Sequence, residues 1–319
     1  MNILSKIFAL CLSVFYAFNP FVGPSAETPI EVDNDDCRLC FLAWADPQIS
    51  NYMLKRDPYF VAACQDVANS KQTFDALVIA GDIAENGLAC EYEHIADNLP
   101  VDNVRNFLMA VGNHDVRLRS YKQVVKRFTG FMNGLNTACG SDLTVDSLHY
   151  KYTVNGYTFI VLGTDRTEFE ESYISPAQMQ WLDDSLKEAT ADGLPAFVVL
   201  HQTFKNSHGL PGTWNSPIDA AGSVGAQSDA LKETMAKYKN VILLTGHLHT
   251  GFGAYTYENI DGIHSVNLPS MTIDNMDGRC NKNGLGCVVE VTDENVTFRA
   301  RNFAAGKNIP EEDIVIPLQ

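Results

Sequence analysis

The strongest constraint on this chain is a recurrence of short apolar runs, each followed within two residues by glycine, aspartate or histidine. The runs are Cys40 to Ala45, Ala76 to Ala80, Phe107 to Val111, Tyr157 to Leu162, Ala196 to Leu200, Val241 to Leu244 and Gly286 to Val291. Their length and bounding turn residues suit strands buried on both faces, which need no polar alternation. Helix-like stretches separate several of them. In Ser175 to Thr190, Ser175 is a fitting N-cap, Pro176 takes the first helical position, and Met179, Leu182 and Leu186 share one face. Gln227 to Lys239 reads as a second helix. Tyr150 to Val154 and Tyr157 to Leu162 are joined by Asn155-Gly156, a strong hairpin signal, so the sheet cannot be purely parallel. At 319 residues and 45% hydrophobic composition the chain can bury a core of domain size. It has no low-complexity block, internal repeat or heptad run, and disordered, solenoid and coiled-coil classes lose on that ground. The expectation is an α/β domain with a mixed, helix-covered sheet.

What stands at the carboxyl ends of the runs points to chemistry. The first ends at Asp46, the second at Gly81-Asp82, the third at Gly112-Asn113-His114-Asp115, the fifth at His201 and the sixth at Gly246-His247-Leu248-His249. In open α/β sheets the binding crevice lies beyond the carboxyl ends of strands, so residues about 200 positions apart would converge there. Two carboxylates, an Asn amide oxygen and imidazoles form a mixed oxygen and nitrogen set, harder than a thiolate site and softer than a calcium cage. Asp82, central in the set, can bridge two divalent ions through its two oxygens. Each residue alone could be turn chemistry. The ordered set is what argues for a site.

The order Asp46-Pro47-Gln48, Gly81-Asp82, Gly112-Asn113-His114-Asp115, His201, Gly246-His247-Leu248-His249 resembles the calcineurin-like metallophosphoesterases, whose blocks run D-x-H, GD, GNH[D/E], H and GHxH. The resemblance spans roughly residues 40 to 270. It implies an α/β fold of two mixed β-sheets sandwiched between helices, a four-layer α/β/β/α arrangement. It implies phosphate-ester hydrolysis by a metal-bound hydroxide at a dinuclear centre of divalent ions, with Mn, Fe or Zn favoured and Mg admissible. One ion would be held by Asp46, the bridging Asp82 and His249, the other by Asp82, Asn113, His201 and His247. His114 would assist the leaving oxygen, and Asn113 would join the ions in holding the phosphoryl oxygens. Glu85, three positions after Asp82, would support His114 or stand as a solvated loop acid. The departure is Gln48, where the family has histidine: the first ion would gain a neutral amide oxygen or no ligand there, and bind more weakly. A purple acid phosphatase variant would require tyrosine at position 85.

The N-terminus has Lys6, an apolar run from Ile7 to Phe18 and a small-residue exit, Gly23-Pro24-Ser25-Ala26. This is the pattern of a signal peptide over residues 1–26, with an uncleaved anchor as the alternative. The run falls short of the ~20 apolar residues a membrane span needs. The mature chain, residues 27–319, would be a single exported domain, periplasmic or secreted. The sequon Asn295-Val296-Thr297 has meaning only in a eukaryotic secretory route. The formal net charge of −16 becomes −17 once Lys6 is removed. Such a surface with no basic cluster disfavours nucleic acid, whereas a small phosphorylated molecule or phosphopeptide is compatible because bound cations invert the local field. Without Cys11 seven cysteines remain, an odd number. Export favours disulfides, and Cys280 with Cys287 could close a small ring. Cys37-Arg38-Leu39-Cys40 invites a redox or zinc reading, but it has no second such pair and Cys40 opens an apolar strand.

Three further expectations concern the surroundings. His208, with Lys205, Asn206 and Trp214 in a Gly-Pro-rich stretch, is a candidate substrate contact. Arg166 is a candidate phosphate contact, with a surface ion pair as the preferred reading. The competing function is an exported binding protein on the same scaffold that has lost catalysis through Gln48.

Overall fold

The computed structural model describes residues 28–32, 36–214, 222–276, 278, 280 and 282–319, so the expected signal peptide lies outside the described residues. In chain order the elements are β1 (Leu39–Trp44), α1 (Asp57–Asn69), β2 (Ala76–Ala80), α2 (Ala89–Asn98), β3 (Phe107–Ala110), the single turn α3 (Asn113–Val116), α4 (Tyr121–Cys139), β4 (Tyr150–Val154) and β5 (Tyr157–Val161). There follow α5 (Pro176–Ala189), β6 (Ala196–Val199), α6 (Ser228–Met235), β7 (Val241–Thr245), β8 (Tyr257–Ile260) and β9 (Ile263–Asn267). The chain ends with β10 (Leu285–Val291), β11 (Asn295–Asn302), β12 (Lys307–Asn308) and β13 (Ile314–Pro317).

The strands form two mixed sheets, as expected. One runs β12-β11-β10-β1-β2-β3 with β13 on β11, and the other runs β4-β5-β6-β7-β9-β8. Strands β1, β2 and β3 are mutually parallel, as are β5, β6, β7 and β9. The sheets face each other through aromatic rings: Phe41 meets Phe159 and Phe197 edge-on at 5.2 and 5.1 Å, and those two stack at 4.9 Å. Side chains alternate across a strand, and the second sheet uses that period on two apolar faces. Phe159, Val161, Phe197 and Val199 join the core shared with the first sheet. Ile160, Leu162 and Val198 instead pack with Leu182 and Leu186 of α5 and Leu231 and Met235 of α6. Both faces are therefore dry, which is why these strands read as unbroken apolar runs.

Local signals behave as the physics requires. Asn155 and Gly156 take φ of 51° and 89°, the left-handed pair of a tight hairpin, and Val154 pairs with Tyr157. The Ser175 hydroxyl accepts from the Gln178 amide at 3.2 Å and caps α5. The helix expected from Gln227 to Lys239 spans Ser228–Met235; beyond it the Tyr238 amide turns back to the Met235 carbonyl at 3.1 Å and its hydroxyl donates to the Asp183 carbonyl at 3.0 Å. The Cys280–Cys287 ring is not formed. Cys280 pairs through its backbone with Phe252, Cys287 is buried within β10, and all seven cysteines from Cys37 onward are free thiols. Among the described residues no helix is long and apolar enough to cross a membrane.

Candidate metal centre

The parallel strands of both sheets deliver their carboxyl ends to one place, and the backbone there is strained. Asp46, Gln48, Asp82, His247 and His249 all have left-handed φ, between 42° and 72°. Each such non-glycine residue costs on the order of 1 kcal/mol or more and persists only where its surroundings hold it. Backbone bonds do that: the Gln48 amide donates to the Asp82 carbonyl at 2.8 Å and the Gly246 amide to the His201 carbonyl at 2.9 Å. Asp115 is a second clamp, its buried carboxylate accepting from the Ile83, Ala84 and Gly112 amides and from the Tyr92 hydroxyl. Burial and neighbouring Asp82 push its pKa up to about 6. Two glycines are explained by close approach. A Cβ on Gly112 would sit 2.1 Å from Asp82 Oδ1, and one on Gly246 would sit 2.5 Å from Asp46 Oδ2.

Asp82, His201 and His247 offer atoms that all lie within 4.8 Å of one another, as do Asp46, Asp82 and His249. Asp82 belongs to both groups, the position a bridging carboxylate must occupy. His201 Nδ1 donates to the Ala80 carbonyl at 2.8 Å, which leaves Nε2 to face inward. There it lies 3.1 Å from Asn113 Oδ1 and 3.2 Å from Asp82 Oδ2. Three lone-pair atoms converging in a buried space require a cation or a proton among them. Burial lowers the His201 pKa, but Asp82 and Asp46 more than reverse this, raising it to about 9. Burial also raises the Asp82 pKa, and His201 and His114 drive it well below the usual carboxylate range. His247 is buried, its Nε2 finds no hydrogen-bond partner, and burial and His201 hold it well below the usual imidazole range. These donors fit divalent metal.

On the other side, His249 Nε2 lies 3.2 Å from Asp46 Oδ1, while Asp46 Oδ2 accepts from the His247 amide at 3.1 Å. Gln48 is 3% exposed. Its Nε2 donates to Glu85 Oε2 at 3.0 Å and stands 2.9 Å from both ring nitrogens of His114. Its Oε1 is buried without a hydrogen-bond partner. Glu85 is an ion-pair partner of Arg56 and lies 3.2 Å from His114 Nδ1, so the solvated-acid alternative fails. Burial raises the Glu85 pKa, and His114 and Arg56 bring it down to about 2. Burial lowers that of His114, and Asp82 and Glu85 together raise it above the usual imidazole value.

A calcineurin-like phosphoesterase model matches residues 53–251, more than half of the sequence. The chain belongs to the calcineurin-like phosphoesterase family. It is accordingly a hydrolase of phosphoric esters, and the residue groups around Asp82 suit the divalent metal of a metal-dependent member. The matched span begins after Asp46 and Gln48, the block in which this chain departs from the family pattern. A 3',5'-cyclic-nucleotide phosphodiesterase of Nostoc sp. strain PCC 7120 is 23% identical over 213 residues, 66% of this chain and 68% of that protein. Among solved structures, a dimetal phosphatase from Danio rerio superposes with a TM-score of 0.60 at 15% identity, covering 89% of this chain and all of that one. The purple acid phosphatase from yellow lupin gives 0.55 at 12% identity, covering 88% and 53%. These two share the two-sheet fold.

Other expectations fare differently. Asn113 turns its acceptor oxygen toward the cradle, 3.1 Å from His201 Nε2, and commits one of its two N–H donors to Glu170 Oε2 at 2.6 Å. His208 is fully buried, with its ring nitrogens on the Tyr255 carbonyl at 2.7 Å and the Ser265 hydroxyl at 2.8 Å, and no edge remains for substrate. Arg166 pairs with Glu168 and lies over the Tyr173 ring. No motif in the sequence announces Arg56, Arg117 or Glu170, and the suspected Trp214 stacks its ring 4.4 Å from His247. Arg117 stands three residues from His114, and Trp214 lies in the Gly-Pro-rich stretch already suspected of facing substrate.

Proposed function

We propose that this is an exported phosphoesterase that works with two divalent ions, one held by Asp46, Asp82, His249 and the Gln48 oxygen, the other by Asp82, Asn113, His201 and His247. The observation behind the reading is the convergence of acceptor atoms on both sides of Asp82, together with the unpartnered His247 Nε2 and Gln48 Oε1. When bound, such a pair of ions lowers the pKa of water and neutralises phosphoryl oxygens. The protein supplies the rest. Asp82, its carboxyl held well below the usual carboxylate range by His201 and His114, keeps the two halves in register while its Oδ1 accepts from the His114 amide at 2.8 Å. His114 presents Nδ1 to Glu85 and Nε2 toward Asp82 Oδ2, 4.0 Å away. Nε2 is thus placed to give a proton to the departing alkoxide, and Glu85 keeps the ring protonated for that step. A buried cradle strengthens these charges by excluding water.

The acidic surface, of net charge −16, favours a small phosphorylated molecule or phosphopeptide over nucleic acid. Export rests on the basic, apolar and small-residue order of residues 1–26 and is tested by the N-terminal mass of protein recovered outside the cytoplasm. The function is tested by metal content per chain and by hydrolysis of p-nitrophenyl phosphate and its bis-ester, before and after chelation and with manganese, iron, zinc or magnesium restored. Two ions and chelator-sensitive turnover are expected. No ions and no turnover under any restoration would leave the non-catalytic binding protein as the better reading.

A further inference from the structure

We propose that Glu170, on the loop between β5 and α5, is a positioning residue that sets which way the Asn113 amide faces and thereby completes the second ion site; this rests on the two-ion reading above. An Asn side chain has an oxygen that can ligate metal and a nitrogen that cannot, and half a turn about its last bond exchanges them. Something must choose. Glu170 Oε2 lies 2.6 Å from Asn113 Nδ2, and a carboxylate only accepts, so the NH2 group must point to it. The opposite end, Oδ1, is then forced toward His201 Nε2, 3.1 Å away, where the ligand atoms gather.

Glu170 is itself held. Its backbone carbonyl accepts from Gln202 Nε2 at 2.6 Å, and Gln202 Oε1 accepts from the Ser172 hydroxyl at 2.7 Å. Gln202 directly follows His201, so one strand end delivers an imidazole and also anchors the loop that orients the amide beside it. The same carboxyl group reaches Arg117 Nη1 at 3.4 Å, and Arg117 Nη2 lies 2.7 Å from His114 Nδ1. Glu170 thus braces Asn113 directly and holds Arg117 beside His114, from a segment that shares no motif with either. Loss of such an outer partner weakens metal binding by about 10- to 100-fold in sites of this kind.

The test is cobalt titration of the chelator-stripped mature protein, followed by visible absorption and calorimetry, for wild type, Glu170→Ala, Glu170→Gln, Asn113→Ala and the Glu170→Ala/Asn113→Ala double variant. In wild type two binding steps are expected. Glu170→Ala should weaken one step about 10- to 100-fold and leave the other within about threefold. Glu170→Gln should recover most of the loss, because its amide oxygen still accepts from Asn113. The double variant should bind no more weakly than Asn113→Ala alone, since the carboxylate acts through that amide. Two unchanged steps in Glu170→Ala would overturn the inference. So would an equal weakening of both steps, or full additivity in the double variant, which mark a merely structural loop residue. A wild-type protein that binds no cobalt would overturn the two-ion reading itself, a result distinct from the others.

Discussion

Around Asp82 the centre divides into a half closed by Asn113, His201 and His247 and a half closed by Asp46, Gln48 and His249, and their outer partners differ. In the first half the ligands are oriented by groups outside the proposed chemistry, with the Ala80 carbonyl holding His201 and Glu170 holding Asn113. In the second, Gln48 is oriented by Glu85, and its amide nitrogen stands 2.9 Å from the ring of His114, the two residues assigned to proton transfer. The first half is also more deeply closed, with the His201 side chain fully buried and that of His249 20% exposed. Glutamine in place of histidine therefore does more than weaken a ligand. On the two-ion reading its amide nitrogen joins the first ion site to the proposed acid–base pair, so that a change in one should be felt in the other.

The largest expected effect erases the distinction between the halves. Asp82→Asn removes the shared carboxylate, and both ions and turnover should be lost, by more than about 10³-fold in kcat, or ~4 kcal/mol. Elemental analysis of the purified variant checks this, and full turnover would refute the bridge. His114→Ala should instead keep both ions while slowing hydrolysis of an ester with a poor leaving group by about 10² to 10⁴-fold. Unchanged turnover on such an ester would remove His114 from the chemistry. Glu85→Gln probes the pair more gently. The His114 pKa is raised, so its acid form is fully present at low pH and lost as pH rises through that raised value. Removing the Glu85 charge lowers it, and the alkaline limb of kcat should move toward lower pH. A limb that stays in place would show that Glu85 does not support the proton.

How far the sequence could be read depended on whether a feature was local. Strands β1, β2, β3, β6 and β7 are continuous apolar runs because both their faces are dry, and their ligands follow within a few residues. Strand β11 was readable in principle, since Val296, Phe298 and Ala300 alternate with more exposed neighbours, but a search for unbroken runs passes over it. Strand β9 hides its character because His264, Ser265 and Asn267 are buried polar residues with partners on other elements. His208 misled for the same reason: a histidine in a Gly-Pro-rich stretch looks free until Ser265 and the Tyr255 carbonyl are seen to occupy its ring. Glu170 meets Asn113 across 57 positions of chain, with neither periodicity nor motif to announce it.

The smallest effect bears most directly on the contrast between the halves. Gln48→His restores the imidazole that the family places at this position and should bind the first ion about tenfold more tightly, ~1.4 kcal/mol, with the second ion unaffected. It should also remove the amide that Glu85 and His114 share, and the two consequences are separable. Calorimetric titration reads the affinity, while the pH profile of kcat reads the state of His114. Tighter binding with a displaced alkaline limb is the outcome that a shared glutamine requires. Tighter binding with an unmoved limb would make Gln48 a simple weak ligand, and no change in either would show that its oxygen faces away from the ion.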